Sequence, residues 1–272
     1  MTTKQEKKRY QPNTERFPFI QCLADGSYLK KQESDTARTR SSATIELINN
    51  YYSVISDSGE ETAWSGVGSC FAVRLALFLV DDLSKTKYRL TRKGNFGKEF
   101  YRHCIEEARG AGLLSEIDDD ELFLIYLKQS LHLLTACGIL RRDNFAHIEA
   151  SPISGTNLYY RLLKAFWNDI RWEDIFPSDP DSARELKINK SILKDLLLRH
   201  RRSIPLETVA NEFFDMTGFG SRNDLFLISF LDFYFFTWLK HFNLIEYSKE
   251  SGYAPVAITV TETGRKIFNS IQ

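Results

Sequence analysis

The hydrophobic pattern is densest in residues 224–242, DLFLISFLDFYFFTWLKHF, a stretch without Gly or Pro. Its candidate core or docking side chains are five aromatic residues: Phe226, Phe230, Phe233, Phe236 and Trp238. The phenylalanines recur at helical spacing, while the tryptophan and its aromatic neighbours fill the opposite side. A helix that is apolar on nearly all sides is typical of a protein core. One lysine and two aspartates interrupt the stretch, so it does not fit a membrane span.

The segments around this aromatic helix complete a succession of three helices followed by a β-hairpin. Two further helices are predicted at residues 190–200 and 206–216, and strands at residues 186–188, 244–247 and 256–260. A polar turn at 248–253 joins the last two strands, and Thr261 begins a short final helix.

The end of this succession, a helix followed by a strand, has a counterpart in an earlier part of the chain. Helices are predicted at residues 70–83, 98–109 and 121–137, and strands at 88–90, 139–142 and 145–148. The third helix begins with ELFLI, and the aromatic helix begins with DLFLI. Each helix ends at a residue that tolerates the left-handed conformation, Gly138 or Asn243, and a strand follows. We interpret the match as an internal duplication, with chance similarity between two apolar helices as the alternative.

This element order resembles the winged helix-turn-helix superfamily, in two divergent tandem copies that together cover about half the chain or slightly more. The short pattern Thr-x-x-Gly after a strand, at residues 91–94 and 261–264, also occurs in that superfamily and in many other proteins. The resemblance implies a third helix that enters the DNA major groove with polar side chains. The aromatic helix lacks such side chains, and the earlier third helix offers four: Lys128, Gln129, Ser130 and His132. Winged helices without a polar third helix generally serve as packing or docking modules.

The length of 272 residues fits two modest domains, and the cluster of prolines and aspartates at 177–181 marks the expected boundary. The fold class we expect is mainly α with small β-hairpins, arranged as tandem winged-helix-like lobes. The expected parts are a mobile polar arm at 1–40, a helical N-terminal lobe at 41–176 with a winged-helix-like unit at about 88–148 and a connecting helix at 158–172, and a C-terminal winged-helix-like domain at 184–272.

Charge is balanced over the whole chain but not along it. Lys plus Arg and Asp plus Glu both number 36, which removes the argument for nucleic acid from a globally basic surface. Residues 85–102 nevertheless contain seven basic residues and one acid, and residues 106–121 contain seven acids and one arginine. The two blocks can pair with each other, or the basic block can contact phosphates.

A second basic cluster lies near residue 200. The candidate contacts with a nucleic-acid backbone from both clusters are Lys87, Arg89, Arg92, Lys93, Lys98, Arg199, Arg201 and Arg202. Phosphate contacts hold a protein on nucleic acid without reading its sequence. We therefore expect a non-catalytic protein that binds nucleic acid independently of sequence or docks to a partner protein. Homo-oligomerisation is left open.

One enzyme hypothesis competes with this interpretation. Cys70 follows Gly68-Ser69 at the start of a helix, where the helix dipole can lower a thiol pKa and favour a nucleophilic thiolate. The segment is faintly similar to that around the nucleophile of papain-like proteases, without the second cysteine or the following tryptophan. His147 is the only histidine placed suggestively as a partner. A buried, inert cysteine is the commoner arrangement, so a cysteine-dependent hydrolase is the alternative.

The remaining features predict neither a cofactor nor a metal. The four cysteines are far apart, without the paired spacing of zinc sites. The first residues contain no apolar core of signal-peptide type. A cytoplasmic protein without membrane association is the expectation.

Overall fold

The computed structural model describes residues 67–117, 119–148, 155–220, 224–248 and 257–271. The predicted arm at 1–40 lies outside the described residues. The protein is mainly helical, with two small three-stranded antiparallel sheets. The α-helices are α1 Phe71–Lys85, α2 Lys98–Gly110, α3 Asp120–Ala136, α4 Gly155–Lys164, α5 Trp172–Ile175, α6 Pro180–Arg199, α7 Leu206–Thr217, α8 Leu225–Phe230, α9 Thr237–His241 and α10 Glu262–Ser270. The strands are β1 Tyr88–Arg89, β2 Leu140–Arg142, β3 Phe145–Ile148, β4 Ile204–Pro205, β5 Ile245–Ser248 and β6 Ala257–Val260.

The first unit, residues 71–148, runs from α1 to β3. Its strand β3 lies between β1 and β2 and is antiparallel to both. Arg89 of β1 is opposite Phe145, and Leu140 of β2 is opposite Ile148. The hairpin therefore returns the chain to the strand that precedes α2.

The second unit, residues 180–270, has the same element order from α6 to β6, followed by α10. Its strand β6 lies between β4 and β5, so the strand order by position is also first, third, second. Ile204 is opposite Ile258, and Ile245 is opposite Val260. In both units the third helix follows the second helix along the chain and precedes the hairpin.

The third helices of the two units begin and end in the same way. Asp119 caps α3, and its carboxylate accepts hydrogen bonds from the backbone N–H groups of Glu121 and Leu122. Asp224 caps α8 through two equivalent bonds. The left-handed residues predicted after the helices are confirmed, because Gly138 has φ 69° and Asn243 has φ 57°. These ends are local structures that a few neighbouring residues specify.

The strand predicted at 186–188 is wrong, because these residues lie within α6. The carboxylate of Asp179 accepts a hydrogen bond from the N–H of Ser182, and Pro180 occupies the first helical turn. A proline in that position favours the start of a helix, since its missing N–H would have no helical partner there. The first strand of this unit is instead Ile204–Pro205, and the predicted domain start at 184 falls inside a helix.

The aromatic helix is interrupted rather than continuous. A π-helical turn, Leu231–Phe236, separates α8 from α9. The hydroxyl of Thr237 donates a hydrogen bond to the carbonyl of Asp232, five residues earlier. The wider turn adds a residue to the helix without breaking it, as π-bulges do.

The connecting helix predicted at 158–172 also ends early. Helix α4 continues into a π-helical turn, Ala165–Asp169. The helix ends at Ile170, whose backbone is extended, and α5 follows. The carbonyl groups exposed by this turn accept hydrogen bonds from the ammonium groups of Lys187 and Lys190 on α6. Those lysines come from the second unit, so the break is stabilised from outside the segment.

The two units share one continuous core. The indole N–H of Trp238 donates a 2.8 Å hydrogen bond to the side-chain oxygen of Gln129 on α3. The ring of His241 lies 4.4 Å from that of Phe71 and 4.6 Å from that of Tyr126. The expected packing of α1 and the connecting helix against the aromatic helix is confirmed, the latter by a 2.9 Å bond from the Tyr159 hydroxyl to the carbonyl of Phe242.

Candidate nucleic-acid interface

The turn after β1 presents the basic side chains of the first unit to solvent. The N–H of Gly94 donates to the carbonyl of Thr91, and the N–H of Thr91 donates to the carbonyl of Asn95, both at 2.8 Å. Gly94 has φ 74°, which a side chain would strain. This tight turn holds Arg92 and Lys93 at its tip, where both are exposed.

Three of the predicted residues line one cavity with a volume of about 1090 Å³, which we call the basic groove. The groove lies between the turn after β1 and the tip of the β2–β3 hairpin. Its lining residues are Arg89, Leu90, Thr91, Arg92, Lys93, Gly94, Asn95, Arg142, Asp143, Asn144 and Phe145. The structure thus brings Arg89, Arg92 and Lys93 together and adds Arg142, which the sequence reasoning missed. The pairing of β1 with β3 brings the turn after β1 next to the hairpin. In the sequence, the only sign of Arg142 as a further cation was the pair of arginines that ends the predicted strand at 139–142.

Arg142 carries a positive charge that no acid of the described chain neutralises. Its Nε and Nη2 atoms are buried and have no hydrogen-bond partner among the described residues. Its guanidinium lies over the ring of Phe96, 5.5 Å from the centroid. Burial lowers the pKa of Arg142, but a guanidinium stays protonated in proteins. The nearby Asp143 pairs with Arg141 at 3.6 Å.

The eight candidate phosphate contacts are not paired with acidic side chains of the described residues. All eight predicted side chains are exposed, and none forms a salt bridge with a described residue. The acidic block instead makes an ion pair within itself, because Arg109 binds Asp120 at 2.9 Å. The alternative in which the two blocks pair with each other is therefore not observed among the described residues.

The other predicted cations lie away from the groove lining. Lys87 precedes β1 and Lys98 begins α2, so both are adjacent in sequence to the groove without lining it. Arg199 ends α6, and Arg201 and Arg202 lie in the loop before β4 in the second unit. The second cluster is thus exposed and does not line the groove.

Most of the candidate side chains on the third helices are buried or half-buried, which makes them poorly placed to reach base edges in a DNA groove. In α3, Gln129 and Ser130 are buried, and Lys128 and His132 are half-buried. Burial lowers the pKa of His132 to about 4, with a smaller contribution from the charge of Arg142. In the aromatic helix, four of the five candidate residues are buried, namely Phe230, Phe233, Phe236 and Trp238, whereas Phe226 is 45% exposed.

Cys70 does not have the lowered pKa that its position suggested. Burial raises the pKa of the Cys70 thiol to about 11, and the hydrogen bonds from the backbone N–H groups of Val73 and Ala72 offset only part of this effect. The helix start therefore acts in the predicted direction, but desolvation of the thiolate is the larger effect. At neutral pH the thiol is protonated and unsuited to nucleophilic attack.

Comparison of the chain with protein-family models, curated proteins and solved structures finds no match. No helix in the described part of the chain combines the length and apolar character needed to cross a bilayer. Within the same ranges, no three His, Cys, Asp or Glu side chains are grouped as a metal site would require. The basic groove is accordingly interpreted from its own geometry and charge.

Proposed function

We propose that this protein is a non-catalytic nucleic-acid-binding protein built from two winged-helix units. It holds the phosphate backbone in the basic groove without reading sequence. The single observation that carries the proposal is the convergence of Arg89, Arg92, Lys93 and Arg142 on one groove, where no described acid pairs with them. Phosphate oxygens are the natural acceptors for such guanidinium and ammonium groups.

The assignment to winged helices is supported by the shared order of elements and strands. Both units run helix, strand, helix, helix, strand, strand, with the third strand in the middle of the sheet. Burial of both third helices supports sequence-independent binding, because the surface that reads bases in other winged helices here joins the two units. The turn after β1 and the hairpin tip remain available for the backbone.

A titration of labelled duplex DNA by the full chain, followed by fluorescence anisotropy, tests the proposal. Affinity should fall steeply with salt, with a log–log slope of about −0.9 for each phosphate neutralised. Replacing Arg89, Arg92 and Lys93 together with Ala should weaken binding to every sequence about equally and flatten that slope. The proposal would be refuted if neither duplex DNA nor a single strand of the same length bound at micromolar protein and low salt.

A charge-matched variant separates the groove from general electrostatics. Replacing Arg199, Arg201 and Arg202 together with Ala removes the same charge from the second cluster. The groove variant should lose more affinity than this control. Equal losses would show that net charge, and not the groove, governs binding.

A second candidate function is docking to a partner protein. Leu225 and Phe226, at the start of α8, are 71% and 45% exposed. Exposed apolar side chains of this size favour a contact with another protein or with a second copy of the chain. Light scattering of the protein over a concentration series, compared with the Leu225→Asp variant, tests self-association. A constant monomer mass for both proteins would exclude it.

A further inference from the structure

We propose, on the basis of the proposed function, that the basic groove takes single-stranded nucleic acid. The phosphates lie against the exposed Arg89, Arg92 and Lys93, the partly buried Arg142 adds its positive charge, and a base stacks on the ring of Phe145. This inference specifies the class of ligand for the groove. It depends on the ring that lines the groove in addition to the charges.

Phe145 is a large apolar side chain in an unusual position. It is 48% exposed, although it begins a strand and lines a groove with four cations. Its neighbour Ala146 is fully buried, because successive residues of a strand point to opposite faces. The same alternation directs Phe145 away from the core, so packing within the described protein does not account for a phenylalanine here.

The position of Phe145 is fixed by the backbone. It lies opposite Arg89 in the β1–β3 pairing, and its carbonyl accepts a 3.2 Å hydrogen bond from the N–H of Asp143 across the hairpin tip. A ring on a paired strand beside an arginine provides a stacking surface next to a phosphate contact. Single-strand-binding proteins combine these two elements in the same way.

Single strands differ from duplexes in that the flat faces of their bases are free to stack on an aromatic ring. Bases in a duplex are stacked on each other, so an aromatic side chain beside the backbone gains nothing from them. Bases of a single strand expose their faces, and every base has one, which makes stacking tolerant of sequence. The side chains of Asn95 and Asn144 in the same groove can donate hydrogen bonds to base edges or phosphates.

The groove is also large enough for a chain segment. Its volume of about 1090 Å³ is slightly above the usual range for small-molecule sites. A single phosphate ion would leave most of this space unused, whereas a nucleotide segment uses the cations and the ring together.

The test measures binding of the full chain to labelled oligothymidine, oligouridine and a mixed-sequence duplex of equal length by fluorescence anisotropy. The wild-type protein should bind the single strands roughly tenfold more tightly than the duplex. Phe145→Ala should weaken single-strand binding about 5- to 150-fold, the loss expected for one stacked base. Duplex binding and the salt dependence should not change.

Two variants control for the nature and position of the side chain. Phe145→Trp retains a stacking ring and should keep the single-strand affinity. Ile188→Ala removes an apolar side chain that is even more exposed, 66% on α6, and lies outside the groove lining, so it should have no effect. Because Phe145 is half-exposed, its alanine variant should keep the circular dichroism spectrum and melting temperature of the wild type.

The outcomes separate this inference from the proposed function. Equal affinity for single strands and duplex, with no effect of Phe145→Ala, would overturn the inference and leave backbone binding in place. Failure of all three ligands to bind at low salt would overturn both. Equal binding of oligothymidine and oligouridine supports stacking that depends neither on the 2′-hydroxyl nor on the thymine methyl group, and tighter binding of either one shows that one of these two groups contributes.

Discussion

Gln129 is a polar link between the two units, and its replacement by methionine should destabilise the protein. Its side-chain oxygen accepts the hydrogen bond from the indole N–H of Trp238, and its amide nitrogen donates to the carbonyl of Ile175, both at 2.8 Å. Gln129 and Trp238 are both buried. Methionine has a similar length and shape, so the substitution removes hydrogen bonds without opening a large cavity.

The expected loss follows from the two buried groups that remain. The indole N–H and the carbonyl of Ile175 would each lose a partner away from water, at a cost of about 1–3 kcal/mol per group. Burial of an apolar side chain in place of an amide returns about 1.5–3 kcal/mol. At the midpoints of these ranges, the free energy of unfolding should therefore decrease by about 2 kcal/mol.

Urea denaturation followed by far-UV circular dichroism measures this loss, and a double-mutant cycle with Trp238→Phe isolates the hydrogen bond. In the phenylalanine background no indole N–H remains to be stranded, so Gln129→Met should be less harmful there. We expect a coupling energy of about 1–2 kcal/mol. A coupling below about 0.5 kcal/mol would refute the assignment of this bond as a link between the units.

Three further predictions concern burial. Phe236→Ala should lower the free energy of unfolding by about 3–5 kcal/mol in urea denaturation, whereas Phe226→Ala, at a 45% exposed site, should change it by less than about 1 kcal/mol. Equal effects would contradict the burial. Burial lowers the pKa of His241 to about 3, so the unfolded chain binds more protons below pH 6.5 and stability should fall with acid. His241→Phe should flatten that decline in melts at several pH values, and an unchanged decline would exclude this histidine as a source. Iodoacetamide at pH 7.5 should leave Cys70 unmodified until urea unfolds the protein, as peptide mass spectrometry would show; rapid native labelling would revive the thiolate hypothesis.

The sequence identified the boundaries that depend on neighbouring residues. Asp119 and Asp224 satisfy backbone N–H groups two and three positions ahead, and Gly138 and Asn243 take the left-handed conformation directly after their helices. Thr261 begins the last helix as predicted, since its hydroxyl accepts a hydrogen bond from the N–H of Gly264 at 2.8 Å. Each of these bonds spans no more than four residues, so the residue types alone specify them.

The tertiary structure determined which helix faces are exposed and which charges converge. Gln129 had a place on the expected polar side of α3, but the core between the two units buries it against Trp238. The basic groove needs Arg89 and Arg142, which are far apart in the chain and meet only through the β1–β3–β2 sheet. The hydrogen bonds of Lys187 and Lys190 to the π-helical turn likewise join segments about 20 residues apart.

One physical reason separates the features that the sequence determines from those that only the tertiary structure determines. Capping and left-handed ends are short-range backbone interactions, and the chain carries their partners within one helical turn. Burial, pKa and groove formation depend on every side chain that surrounds a group, and those side chains come from distant parts of the sequence. The helix start at Cys70 illustrates both kinds of interaction. Its local backbone N–H groups lower the thiol pKa, but burial in the surrounding core raises the pKa by a larger amount.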